Sequence, residues 1–335
     1  MPRPQGSFEW ASCQNWQEGL PTHPARRALR GKRASWVRAA ILTFAAIGVF
    51  FSGLMGRRGR STMHVEAYLN RIGLDRPPRV DLESLTAIHR AHLLAIPYEN
   101  LDVLLRRPVG LDPAATFDKI VGRRRGGWCY EMNGLLGWAL DQLGFRVTRC
   151  AGAVSRQERG ASVIGNHLVL RIDLDEGLYL ADVGFGDGPI DPIRITPGAF
   201  TSHGFAFALT RVDGDWWRLH NRVQGEQTFD FTLRAADESL IAQQCRLLQT
   251  SEQSVFLQNL VAQHHTAAGV TTLRGRVLRW TAPDGRTERL LQTADEFTAA
   301  LSTEFGLEVP EAEDLWPAVV ARHEEVMQVS KGAGT

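Results

Sequence analysis

The stretch Arg123–Gly134, "RRRGGWCYEMNG", decides how the chain is read. Cys129 opens an apolar pattern, Met132, Leu135, Leu136, Ala139, Leu140 and Leu143, at the spacing of one helical face, and Gly144 stands where that helix should end. A cysteine buried in a helix is ordinarily a small hydrophobe. A free thiol titrates near pH ~8.5, so chemistry at neutral pH needs something that favours the thiolate. Gly126 and Gly127 allow a tight turn that sets Cys129 at a helix N-terminus, where unpaired N–H groups and the helix dipole favour an anion. Arg123, Arg124 and Arg125 add positive charge beside it, so a lowered Cys129 pKa is expected.

A base must come from elsewhere in the fold. His167 opens "HLVLRIDL", a run rich in β-branched residues, and "LYLADVGF" follows after a turn at Asp175–Gly177. Pairing these runs as a hairpin brings His167 and Asp182 to the same open end, where cross-strand neighbours touch. A lone histidine on a strand is usually structural, and an aspartate before a glycine usually forms a turn. Together with Cys129, the pair supplies a nucleophile, a base and a group to orient the base.

Around this centre the chain changes texture three times. Residues 63–146 read as a helical bundle: Val65, Leu69 and Ile72 share a face, Asp81 opens a second helix, and Pro97 stops it. Residues 147–250 read as a central antiparallel, β-barrel-like domain, with Asp213-Gly214 in a hairpin turn. Residues 251–335 read as an α/β lid with a hairpin at Pro283-Asp284-Gly285 and a last helix capped by Thr293 and Glu296 and ended at Gly306. The fold class is therefore α+β, and a Cys on a helix followed by His and Asp on strands makes its core resemble those of cysteine proteases and transglutaminases.

Residues 1–62 stand apart. They hold ten Lys/Arg against two acids, a net charge of +8, while the whole chain carries +1, which leaves −7 on the remainder. An acidic body argues against nucleic acid as a partner. The head also contains "AAILTFAAIGVFFSGLMG", residues 39–56, an uncharged run of 18 residues flanked by arginines. That length is at the lower limit for an anchor in a membrane. The competing reading is a start at Met63, where "MHVEAYLNRIG" begins a good helix. Cys13, Cys129, Cys150 and Cys245 show no CxxC pairing, so no zinc ribbon or disulfide framework is expected, and a reduced, cytoplasmic setting is.

"RGGWCYEMN", "NHLVL" and "LADVGFG" resemble the signature segments of arylamine N-acetyltransferases, as do "AYLNRIGL", "IPYENLD" and "GVTTLRGRVL". The resemblance runs from Met63 to about Val309. It implies a ping-pong transfer of acetyl from the co-substrate acetyl-CoA to Cys129 and on to an arylamine, hydrazine or hydroxylamine, with no metal. His167 would pair with Cys129 as thiolate–imidazolium and Asp182 would orient the ring, while Arg125 and Glu131 would be supports. Tyr98 replaces the more usual phenylalanine in "IPFENLD" and would put a hydroxyl in the acceptor pocket. Phe231, in "FDFTL", is expected to line that pocket. Gly184, Phe185 and Gly186 are expected beside CoA, with glycine N–H groups near pyrophosphate. Small molecules are the expected partners, and a homo-oligomer is compatible with the sequence. Two other classes use or mimic this pattern: a transglutaminase-like or papain-like enzyme with the same three residues, and a non-catalytic CoA-binding scaffold.

Overall fold

The structure, a computed structural model, describes residues 63–75 and 79–332. The apolar run at 39–56 lies outside the described residues, as does Cys13. Among the described residues no helix is long and apolar enough to cross a membrane.

The helical region holds Val65–Arg71, Leu82–Ala95, Leu101–Leu104, Pro113–Phe117 and Cys129–Gln142. Asp81 caps the second of these by accepting from the Ser84 amide at 2.8 Å, and the helix ends at Ala95, two residues before Pro97. A two-residue strand interrupts the region, β1 (Tyr98–Glu99). Next come β2 (Arg146–Val154), β3 (His167–Leu174), β4 (Gly177–Ala181), β5 (Ile193–Arg194), β6 (Gly198–Ser202), β7 (Phe205–Arg211), β8 (Trp216–Asn221) and β9 (Gln227–Ala235). These eight form one antiparallel sheet in the order β5-β4-β3-β2-β9-β8-β7-β6. Expected as barrel-like, the sheet is open, with β5 and β6 as its two edges.

After the helix Glu238–Thr250 come β10 (Val261–Thr266), β11 (Gly269–Arg274), β12 (Val277–Ala282) and β13 (Gly285–Leu290). They make a second antiparallel sheet with β1 at its edge. The lid region therefore borrows a strand from the helical region, through Tyr98↔Gln263 and Glu99↔Ala262. Thr293 Oγ1 accepts from the Glu296 amide at 3.1 Å to start the helix Ala294–Phe305, and Gly306 at φ 63° ends it. A further helix, Trp316–Gly332, follows.

The helix starting at Cys129 lies against β2 and β3. Its Met132, Leu135, Leu136, Ala139 and Leu140 are fully buried with Leu170 and Ile172. Burial of each leucine contributes roughly 2 kcal/mol. The other face of β3 is also covered, Val169 packing with Leu180, Phe229 and Phe231. That double cover fixes the strand that carries His167.

Candidate active site

Cys129 is the first residue of its helix and is 3% exposed. The two glycines before it are needed for close approach, since neither has a positive φ. A Cβ on Gly126 would overlap the Pro97 carbonyl oxygen, and one on Gly127 would lie 2.8 Å from Glu131 Cβ. The Trp128 amide donates to Glu131 Oε2 at 3.2 Å, which caps the helix start.

The arginines do not supply the expected field. Arg123 pairs with Asp118 at the surface. Arg125 is buried, donating to Glu99 Oε1 through Nη2 at 2.7 Å and to Asp102 Oδ1 at 3.3 Å. Lys119 Nζ lies 2.9 Å from Glu131, 3.0 Å from Asp102 and 3.7 Å from Glu99. Two buried cations thus face three carboxylates, and their charge is spent holding the turn before Cys129. The expectation that these arginines favour the thiolate is corrected accordingly. Burial first, then the charges of Cys245 and Asp182, push the Cys129 thiol well up, against the backbone N–H groups of Leu168 and Tyr130.

His167 begins β3, and Leu168 beside it is the residue whose amide acts on the Cys129 sulfur. A 2.8 Å hydrogen bond joins His167 Nε2–H to Asp182 Oδ2. The ladder itself stops at Leu170↔Ala181, so the two meet beyond the last strand pair. Asp182 is buried, which raises its pKa, but the His167 charge and hydrogen bonds from His167, Asn133 and the Gly184 amide outweigh this and hold the carboxyl below its usual range.

Several residues that the sequence reading did not single out hold this arrangement. Asn133, one turn after Cys129, donates from Nδ2 to Asp182 Oδ1 at 2.7 Å and to the Leu168 carbonyl at 2.6 Å. Its Oδ1 accepts from the Val183 amide at 2.9 Å. The helical i, i+4 spacing from Cys129 was a signal for it. His89 Nε2 accepts from the Asp182 amide at 3.1 Å, while Nδ1 donates to the Ile190 carbonyl at 2.8 Å.

Gly184 lies over Cys129: a Cβ there would come within 2.7 Å of Cys129 Cα. Its amide donates to Asp182 Oδ1 at 2.9 Å, so that N–H is engaged inside the site rather than turned toward a pyrophosphate. Gly186, at φ 86°, abuts the side chain of Gln263. Phe185 places its ring 5.7 Å from that of His167. Phe231 is fully buried in the sheet, and the ring of that strand nearest His167 is Phe229, at 4.9 Å. Tyr98 is 8% exposed and shares a buried cluster with Cys129, and burial first, then the charge of Cys129, push the pKa of its hydroxyl up. Among the described residues, no group of three or more His, Cys, Asp or Glu side chains is arranged to hold a metal ion.

On the same loop, Asp187 is 2% exposed and accepts from Asn221 Nδ2 at 2.8 Å. Burial pushes its pKa up from 3.8 to about 6, against Arg274 and several hydrogen bonds. A raised folded pKa means that the stability from this group is present below pH ~4 and lost as pH climbs through ~6. Asp187→Asn, which keeps the acceptor oxygen, is expected to stabilise the fold at pH 8 by up to about 3 kcal/mol and to have little effect at pH 4. Melting curves at the two pH values check this: an equal shift at both would contradict it.

The fold is thus α+β, with a helix-start cysteine lying under a loop whose aspartate is hydrogen-bonded to a histidine. A family model described as N-acetyltransferase matches residues 81–314. The arylamine N-acetyltransferase of Mycolicibacterium smegmatis is 36% identical over 265 residues, 74% of this chain and 93% of that protein. Arylamine N-acetyltransferase 1 of Homo sapiens is 32% identical over 239 residues, 64% of this chain and 82% of its own length. The solved structure of the Mycobacterium marinum arylamine N-acetyltransferase in complex with CoA is 31% identical, with a TM-score of 0.70, covering 78% of this chain and 99% of that one. The chain belongs to the arylamine N-acetyltransferase family, whose members are acyltransferases.

Proposed function

We infer that the protein moves an acetyl group from acetyl-CoA to the nitrogen of an arylamine or hydrazine in two half-reactions, through a thioester on Cys129. The observation that carries this is the His167–Asp182 hydrogen bond at the helix start holding Cys129. The CoA complex of the Mycobacterium marinum relative supports the choice of donor.

Because burial disfavours a free thiolate, the Cys129 proton passes to a group inside the site. Nε2 of His167 is engaged by Asp182, which leaves Nδ1 for the thiol. The thiolate attacks the acetyl-CoA carbonyl, the C–S bond to CoA breaks, and the leaving sulfur takes the proton from His167. An incoming amine then attacks the Cys129 thioester and gives a proton to His167, and the Cys129 sulfur leaves and recovers that proton. Asp182 balances the imidazolium formed in each half. Tyr98 and Phe229 form the aromatic surroundings offered to the acceptor, and Phe231 backs Phe229 from within the sheet, ring centroids 6.0 Å apart. The free, buried thiols of Cys129, Cys150 and Cys245 support a cytoplasmic setting.

Alkylation tests the role of His167. In the wild type, iodoacetamide is expected to label Cys129 down to about pH 6, ahead of Cys150 and Cys245, with site-resolved mass spectrometry as the readout. In His167→Gln that labelling should move to alkaline pH. An unchanged pH profile would remove His167 as the base.

A further inference from the structure

The loop over Cys129 is held at both ends by one side chain of the second helix. His89, within Leu82–Ala95, is 1% exposed. Its Nε2 accepts from the Asp182 amide at 3.1 Å, and its Nδ1 donates to the Ile190 carbonyl at 2.8 Å. Neither backbone group belongs to a ladder, since β4 ends its pairing with β3 at Leu170↔Ala181 and β5 begins only at Ile193. Asp182 and Ile190 are both buried, so the imidazole supplies the partners that the sheet does not. Between these two ends the chain carries Gly184 over Cys129 and Phe185 beside the His167 ring. Arg90 adds to the grip from the same helix, donating from Nη2 to Asp191 Oδ2 at 3.0 Å.

The two bonds demand one protonation state. A backbone N–H can only donate, so Nε2 of His89 is unprotonated, and a carbonyl can only accept, so Nδ1 carries the proton. A protonated ring would turn an N–H against the Asp182 N–H. Burial holds His89 below the ordinary histidine range, against the bond to Ile190 and the charges of Asp182 and Asp191. His92 and His265 also face it, and burial pushes both of them down as well. At its far end Asp182 accepts from His167, Asn133 and the Gly184 amide. One methylene separates that carboxylate from the backbone, so a shift of the amide carries the carboxylate away from His167.

We propose that His89 is a positioning residue for acyl transfer: as a neutral imidazole it ties together the two ends of the loop over Cys129, and through the Asp182 amide it keeps the carboxylate where it orients His167. The proposal rests on the reading of Cys129, His167 and Asp182 as nucleophile, base and orienter. His89 touches none of the reacting atoms and acts through Asp182 alone.

Three substitutions in the full chain separate the two bonds. Glutamine puts an amide near the place of Nε2 and keeps an acceptor for Asp182, asparagine puts one near the place of Nδ1 and keeps only the donor to Ile190, and leucine keeps neither. The readout is the rate at which Cys129 gains an acetyl group from saturating acetyl-CoA, followed by intact mass on variants whose circular dichroism matches wild type. His89→Leu and His89→Asn are expected to lower that rate roughly tenfold or more, with the half-saturating concentration within about threefold of wild type, and His89→Gln should recover at least about threefold of the loss. Iodoacetamide labelling of Cys129 should move to alkaline pH in His89→Leu and less in His89→Gln. Beside Asp182→Asn, His89→Leu should cost less than about twofold, because two changes that act through one group do not add. If His89→Leu does not fold, His89→Gln against His89→Asn makes the same comparison with polar side chains. Rates within about twofold of wild type, a glutamine no better than asparagine, a loss confined to the half-saturating concentration, or an undiminished loss beside Asp182→Asn would each overturn the role of His89. A wild-type Cys129 that takes no acetyl group refutes the parent reading, whereas acetylated wild type with unmoved variants refutes His89 alone.

Discussion

Wild-type protein mixed with acetyl-CoA and no amine should gain the mass of one acetyl group, on Cys129, and Cys129→Ala should gain none. Cys129 starts its helix beneath the loop that carries Asp182, and the Leu168 amide acts on its sulfur. Cys150 and Cys245 are buried as well, but their thiols donate to the carbonyls of Thr148 and Val109, away from the His167–Asp182 pair. Removing the atom that forms the covalent bond should lower turnover with an arylamine by roughly 10⁴-fold or more, since residues that act as a unit leave little behind when the nucleophile is lost. A Cys129→Ala protein that still transfers acetyl within tenfold of wild type would end the thioester mechanism.

The largest expected change in stability comes from Lys119→Met. Lys119 is 4% exposed and contacts Glu99, Asp102 and Glu131 together, while Arg125 covers only Glu99 and Asp102. Without Lys119, Glu131 keeps only the Trp128 amide. Leaving a buried charge uncompensated costs about 3–5 kcal/mol, far more than any surface pair on this protein can contribute. Denaturant unfolding should show that loss, and Cys129 acetylation should slow with it because Glu131 caps the nucleophile helix. Adding Glu131→Gln to Lys119→Met removes the stranded charge and should recover at least about 1 kcal/mol. No recovery in the double variant would mean that Lys119 acts through packing of its stem instead.

Much of this was legible in the sequence because it is local. The Cys129 helix, the turn at Asp175–Gly177 and the Thr293 cap each follow from residues within one element. His167 and Asp182 could be brought together because one hairpin joins them. What escaped depends on contacts between distant elements. Arg125 reads as free charge until Glu99 and Asp102 are seen against it. His89 is an ordinary polar residue of a helix until Asp182, remote in sequence, donates to it. Alternation could not choose between Phe229 and Phe231, since residues two apart on a strand share a face and both are buried in one cluster. The helix Trp316–Gly332 lies beyond Gly306, where the last helix was expected to end, and it carries Pro317 in its first turn, where proline is well tolerated.

The pairing of Tyr98–Glu99 with Ala262–Gln263 also sets the order of events at the ribosome. The turn before Cys129 is hydrogen-bonded to β1, Glu99 donating to the Gly127 carbonyl at 2.9 Å. Its partner strand is synthesised long after the nucleophile, and contacts so far apart in sequence form late. Once Asp182 has been made, the nascent chain still lacks the strand that covers the edge of this turn until Val261–Thr266 has been added.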